Sequence, residues 1–276
     1  MSNLIARADA GEGSSYASVN GLRMYYEIHG SGRPLVLLHG GLSTIDQDFG
    51  RMMPAFANTR QLIAIEQQAH GHTGDGDRPL RLDIMAEDTA ALLEQLGIGN
   101  ADFFGYSVGA GIALLLAIRH SELVRKMVLA GGTAYHPSGL YPEAQEAEMS
   151  MQPGHLAGTP FQRAYAAVAP NPDDWPVLIE KIKEMDSTWE GVPPEDIRAV
   201  RAPALLIIGD SDIVKPEHTM EMFRLLGGGV AGDLAGLPRS QLAVLPGTTH
   251  IGLTDHTDWL VSMITSFLDA PIPDGE

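Results

Sequence analysis

Short runs of leucine, valine and isoleucine, each followed by a segment of helical periodicity, recur along this chain and leave it few folds. The runs are Pro34–Leu38, Leu62–Glu66, Ala101–Gly105, Lys126–Ala130, Ala204–Ile208 and Leu242–Leu245. Strands apolar on both faces suit the interior of a parallel sheet. Helices are predicted near Asp83–Leu96, Gly109–Arg119, Pro216–Leu226 and Thr257–Leu268. In the first of these, Met85, Thr89, Leu92, Leu93 and Leu96 share one helical stripe. Such alternation implies right-handed crossovers and a doubly wound α/β sheet. Ligands in such sheets collect at the carboxyl ends of the strands.

Several segments depart from the rhythm. Tyr16–Val19 and Leu22–Ile28 flank Asn20-Gly21, a two-residue hairpin turn, so the sheet is expected to open antiparallel. Residues 133–201 separate two sheet strands, too long a gap for a structureless loop. An inserted helical cap is expected there, with residues 1–132 and 202–276 forming the core domain. Gly227-Gly228-Gly229 through Pro238 reads as a flexible surface loop, and the first dozen and last six residues read as frayed ends.

Composition narrows the function classes. The net charge is -17, from 35 acidic and 18 basic residues. Such a surface repels nucleic-acid phosphates and anionic lipid headgroups, so neither is an expected partner. With no cysteine in the chain, disulfides, thiolate catalysis and cysteine-based zinc sites are all excluded. Neither a signal-peptide core nor a membrane-spanning run is found, and a cytoplasmic monomer or homodimer is expected.

Gly105-Tyr106-Ser107-Val108-Gly109 is a G-x-S-x-G sequence lying directly between a predicted strand and a predicted helix. A sharp turn there needs small flanking residues. It lifts the serine hydroxyl above the sheet edge, at a helix N-terminus whose N–H groups face outward. A serine hydroxyl attacks only when a base takes its proton. His250 follows the last strand in Leu245-Pro246-Gly247-Thr248-Thr249-His250, at the same sheet edge. Of the other nine histidines, His39 is expected to make core hydrogen bonds, and His70 and His72 to be solvated or structural rather than metal ligands.

That histidine needs a carboxylate to fix its tautomer. Gly209-Asp210-Ser211-Asp212 offers two. Asp212 lies further into its loop and is the expected partner; Asp210, next to the strand, is expected to satisfy turn N–H groups. Gly41, after the strand Pro34–Leu38, and Val108 are the expected N–H donors to a developing oxyanion.

Together these pieces resemble the α/β-hydrolase superfamily over nearly the whole chain. The matching residues are Leu37-Leu38-His39-Gly40-Gly41, the Ser107 turn, Gly209-Asp210-Ser211-Asp212 and Pro246-Gly247-Thr248-Thr249-His250, in the family's order of serine, acid and histidine. The resemblance implies an eight-stranded core, a cap after the sixth strand and esterase-like acyl transfer by Ser107, Asp212 and His250. Two departures stand out. The family's Asp-x-Arg-Gly-x-Gly-x-Ser reads here Glu66-Gln67-Gln68-Ala69-His70-Gly71-His72-Thr73, and Ala110 replaces a glycine often found after the serine turn.

The expected activity is hydrolysis of a small to medium, largely apolar ester or lactone, without cofactor or metal. C–C bond hydrolysis, perhydrolysis of the haloperoxidase kind and amide hydrolysis use the same residues, and a ligand-binding receptor could retain the fold. Expected substrate contacts are Leu42 and Tyr106 near the catalytic loops, and Phe161, Trp175 and Trp189 in the insertion.

Overall fold

A computed structural model describes residues 13–132 and 134–272. The expected frayed ends fall almost wholly outside these residues. The strands are β1 (Ser14–Val19), β2 (Leu22–His29), β3 (Arg33–Leu38), β4 (Arg60–Ile65), β5 (Ala101–Tyr106), β6 (Val124–Ala130), β7 (Ala204–Ser211) and β8 (Gln241–Thr249). They form one sheet in the order β1-β2-β4-β3-β5-β6-β7-β8. The β1–β2 and β2–β4 pairs are antiparallel, and every pair from β4 to β8 is parallel.

Each expected strand run is present, extended by up to four residues at an end, except that β4 stops at Ile65, one residue before the expected Glu66. The reason for the continuous apolar runs is visible in β3. Leu35 and Leu37 join the cluster on one face of the sheet, Val36 and Leu38 that on the other, and all four are fully buried. Each such side chain contributes about 1.5–3 kcal/mol of burial free energy.

Helices cover both faces: α1 (Ile45–Phe49), α2 (Met53–Ala57), α3 (Leu82–Gln95) and α4 (Val108–Arg119) precede the insertion. The short α1 and α2 have no counterpart among the expected elements. Of the expected stripe, Met85, Thr89, Leu92 and Leu93 are buried in α3, whereas Leu96 caps its end and is half-buried.

Between β6 and β7 lie α5 (Pro142–Met149), α6 (Pro160–Val168), α7 (Trp175–Thr188) and α8 (Pro194–Ala199). Proline stands at the first or second position of all four, where its missing N–H leaves no hydrogen bond unmade. The last of them, α8, packs against α4 of the core and buries Ile197 completely. After β7 come α9 (Pro216–Leu225), α10 (Gly232–Ala235) and α11 (Thr257–Asp269). The loop expected at 227–238 therefore carries a helical turn; its Leu234 is 90% and its Leu237 82% exposed. Among the described residues, no helix is long and apolar enough to cross a membrane.

Candidate active site

The carboxyl ends of β3, β5, β7 and β8 bring together residues that lie far apart in the chain. Ser107 follows β5 directly and has φ 53° and ψ −116°, a conformation strained for any residue but glycine. The turn is possible because its neighbours are glycines. A Cβ on Gly109 would collide with the Leu38 carbonyl, and one on Gly105 with the Gly109 carbonyl. The turn is also tied down: the Ser107 N–H donates to Ala130 O at 2.8 Å, across to the end of β6.

His250 Nε2 lies 2.9 Å from Ser107 Oγ. His250 Nδ1 lies 2.9 Å from Asp212 Oδ1 on the opposite side of the ring. The Asp212 side chain is fully buried, and its Oδ1 also accepts the Val214 N–H at 3.2 Å. With a carboxylate on Nδ1 and a hydroxyl on Nε2, the imidazole can carry its proton on Nδ1 and receive another on Nε2.

Asp210 does something else. Its two oxygens accept the N–H groups of Gly247 at 2.9 Å and Thr248 at 3.2 Å, and these bonds hold its carboxyl below the usual carboxylate range. It ties the end of β7 to the strand segment that leads into His250.

The loop after β3 presents a row of N–H groups. Gly40 N–H donates to Asp48 Oδ2 at 2.8 Å, and Leu42 N–H donates to His70 Nε2 at 3.1 Å. Between them, the Gly41 N–H has no partner among the described residues. Val108, the first residue of α4, has no carbonyl one turn before it within the helix to accept its N–H. Gly41 adjoins Val108, whose Cγ2 is 3.2 Å from where a glycine Cβ would stand. Two free donors thus sit beside the serine, the arrangement that stabilises a tetrahedral oxyanion.

Buried histidines support this loop. His39 Nδ1 donates to Gly40 O at 2.7 Å and its Nε2 accepts the Gln67 N–H at 3.1 Å. His70 Nδ1 donates to Gln68 O at 2.8 Å. Each ring is therefore in its neutral form, and burial pushes the pKa of both down to about 4. Asp48 is also buried, which raises its carboxyl to about 6 against the opposing pull of the bonds from Gly40 N–H and Ser43 Oγ.

Above Ser107 opens a cavity of about 710 Å³, walled by core loops on one side and by the insertion on the other. Four of the residues named above as expected substrate contacts, Leu42, Tyr106, Phe161 and Trp189, line it. Tyr106 also donates its hydroxyl to His250 O at 2.8 Å. Trp175 is a correction. It is 5% exposed, packs on Tyr165 with ring centroids 5.2 Å apart, and lies outside the cavity wall. At the start of α7 it faces α6 and fills the interior of the insertion instead.

Sequence reasoning missed three acidic residues of the cavity. Asp48 hides in α1, whose one signal is Thr44-Ile45-Asp46-Gln47, a helix-start pattern in which Thr44 Oγ1 accepts the Gln47 N–H. Glu148 and Asp186 stand in the wall, on α5 and α7. Burial raises both carboxyls, that of Asp186 to about 7 with help from the neighbouring charge of Glu148. Among the described lining residues there is no lysine or arginine.

The sheet order, the strained serine turn and the three-residue relay define an α/β hydrolase architecture. A family model for the alpha/beta hydrolase fold matches residues 33–257, and the chain belongs to that family. It is similar to a 2-hydroxymuconate semialdehyde hydrolase of Pseudomonas sp. (strain CF600), 35% identical over 114 residues. That match covers 40% of each chain, so well under two thirds of this relative's length is spanned. A non-heme haloperoxidase of Rhodococcus erythropolis is 24% identical over 91% of this chain and 97% of its own. Among solved structures, a meta-cleavage product hydrolase from Pseudomonas fluorescens IP01 superposes with a TM-score of 0.73 at 18% identity, covering 92% of this chain and 97% of the other.

Proposed function

We propose that this protein is a serine hydrolase that cleaves small to medium, neutral and largely apolar carboxylic esters or lactones through an acyl-enzyme on Ser107. The observation that carries this reading is the Ser107–His250–Asp212 relay, with both spacings at 2.9 Å, opening into an apolar cavity.

Ser107 Oγ attacks the substrate carbonyl while His250 Nε2 takes its proton. The carbonyl oxygen becomes an oxyanion and receives hydrogen bonds from the Gly41 and Val108 N–H groups. Asp212 stabilises the imidazolium so formed. His250 then protonates the departing alkoxide, and the acyl group remains on Ser107. Water attacks the acyl-enzyme with His250 again as base, which releases the acid and restores the serine.

The cavity wall supports a neutral substrate. Leu42, Leu156, Phe161 and Trp189 supply apolar contact, and Met149 and Met151 add side chains that adapt to shape. Esters and lactones fit it better than the carboxylate-bearing 2-hydroxymuconate semialdehyde after which one relative is named. A carboxylate would enter a wall that holds Glu148 and Asp186 and, among the described lining residues, no lysine or arginine.

The test is labelling with a fluorophosphonate probe followed by mass spectrometry, alongside a panel of chromogenic esters and lactones. An adduct on Ser107 with turnover of neutral esters is the expected result. No adduct, or an adduct on another serine, overturns the assignment, and tight ligand binding without turnover would mark a receptor instead.

A further inference from the structure

Two free N–H groups are useful only if the loop that carries one of them keeps its shape. The segment Gly40-Gly41-Leu42-Ser43 is neither strand nor helix, and Leu42 is held at φ 61°, an uncommon conformation for a branched residue. Left alone, such a loop would relax by turning its peptide planes. Its N–H groups are accepted in a pattern that prevents this. Asp48, 6% exposed, takes the Gly40 N–H on Oδ2 and the Ser43 hydroxyl on Oδ1 at 2.7 Å. His70, fully buried, takes the Leu42 N–H on Nε2. The residue in between is skipped.

We propose that Asp48 and His70 are positioning residues of the oxyanion loop, each accepting an N–H beside Gly41 so that the Gly41 N–H stays free for the reacting oxygen. The inference rests on the serine-hydrolase reading above. Neither side chain is assigned a bond to substrate; both act through the loop.

Each acceptor is suited to its place. A carboxylate has lone pairs for two donors at once, which lets Asp48 bind both ends of the four-residue loop. His70 has a lone pair free on Nε2 because its Nδ1 proton is committed to the Gln68 carbonyl. The loop is thus gripped from α1 on one side and from the segment after β4 on the other.

The experiment uses the full-length protein and a trifluoromethyl ketone, which forms a hemiketal oxyanion on the active serine. Asp48→Ala and His70→Leu should each lower kcat about 10- to 100-fold, short of the loss from deleting a donor outright, with KM changed less than about threefold. The inhibition constant should rise in parallel with the fall in kcat. Asp48→Asn keeps an acceptor for Gly40 N–H and should recover most of the loss. Wild-type kcat in both truncated variants overturns the proposal, as does a change confined to KM or an Asn variant as impaired as the Ala variant.

Should the truncated variants fail to fold, the unsubstituted protein still decides the question. On inhibitor binding, the Gly41 amide proton should move strongly downfield in the NMR spectrum, while those of Gly40 and Leu42, already bonded, hold their positions. Equal movement of all three overturns the proposal. Absence of any Ser107 adduct overturns the parent reading, and the two failures are therefore distinguishable.

Discussion

The Tyr106 hydroxyl donates to the backbone carbonyl of His250 at 2.8 Å, so the residue before the proposed nucleophile holds the proposed base in place. The rings also stack, with centroids 5.5 Å apart. Tyr106→Phe keeps the packing and removes the bond. Its expected effect is a fall in kcat of about 3- to 30-fold and a loss of about 1 kcal/mol in stability. Steady-state kinetics with a denaturation curve checks it; unchanged kcat would show that the bond serves the fold alone.

Ser107 stores backbone strain. Ser107→Gly should abolish turnover and raise stability by about 1 kcal/mol, because glycine adopts φ 53° without steric cost. Ser107→Ala should abolish turnover without that gain. Thermal melts of the two variants side by side make the comparison, and equal melting temperatures would count against strain at this turn.

Asp212 and Asp210 lie two residues apart and do different work. Asp212→Asn should lower kcat by orders of magnitude, up to about 10⁴-fold, through loss of the histidine tautomer. Asp210→Asn removes an acceptor from the Gly247 and Thr248 N–H groups, and should act mainly on melting temperature. Equal kinetic losses with unchanged melting curves would leave the distinction without support.

Asp186 and Glu148 should make the pocket discriminate more strongly as pH rises. The Asp186 carboxyl is raised by burial to about 7, so it gains its charge near neutrality. For p-nitrophenyl esters with neutral or carboxylate-ended acyl chains, the kcat/KM ratio in favour of the neutral ester should grow as pH passes 7. The double variant Glu148→Gln, Asp186→Asn should reduce that preference about tenfold. A ratio flat from pH 6 to 8 in both proteins would remove the acids from substrate selection.

The same raised pKa has a sign for stability. Between the unfolded value near 4 and the folded value of about 7, the folded chain binds more protons than the unfolded chain. The contribution of Asp186 is therefore most favourable at low pH and declines as pH rises through that window. Relative to wild type, Asp186→Asn should gain melting temperature from pH 5 to pH 8. A constant gap would show that the carboxyl titrates normally.

Much of this architecture was legible because its signals are local. Runs such as Leu35-Val36-Leu37-Leu38 announce strands buried on both faces, and Asn20-Gly21 announces the hairpin that opens the sheet. Ser107 is legible from the G-x-S-x-G motif at a strand end, and Asp212 and His250 from their places after later strands; the structure sets the three within hydrogen-bond reach of one another. The five-residue α1 and α2 are too short for helical periodicity to show. Asp48 was invisible for that reason, since its partner Gly40 is reached by a turn rather than along a periodic face. Trp175 was misplaced because a large apolar residue in an insertion can face either the pocket or the insertion's own interior. Spacing does not distinguish the two, whereas contact with Tyr165 does.

The position of β8 has a consequence for how the molecule would fail. It is the last strand of the sheet and pairs on one side alone, with Val244 half exposed, while β5 lies between two neighbours at the centre. Serine and histidine are therefore mounted on parts of unequal firmness. Local opening reaches a sheet edge before its middle. Under rising denaturant, turnover should vanish while the central strands and their helices still hold, leaving an ordered serine without its proposed base. Loss of activity would then serve as an early gauge of damage, well ahead of collapse of the core.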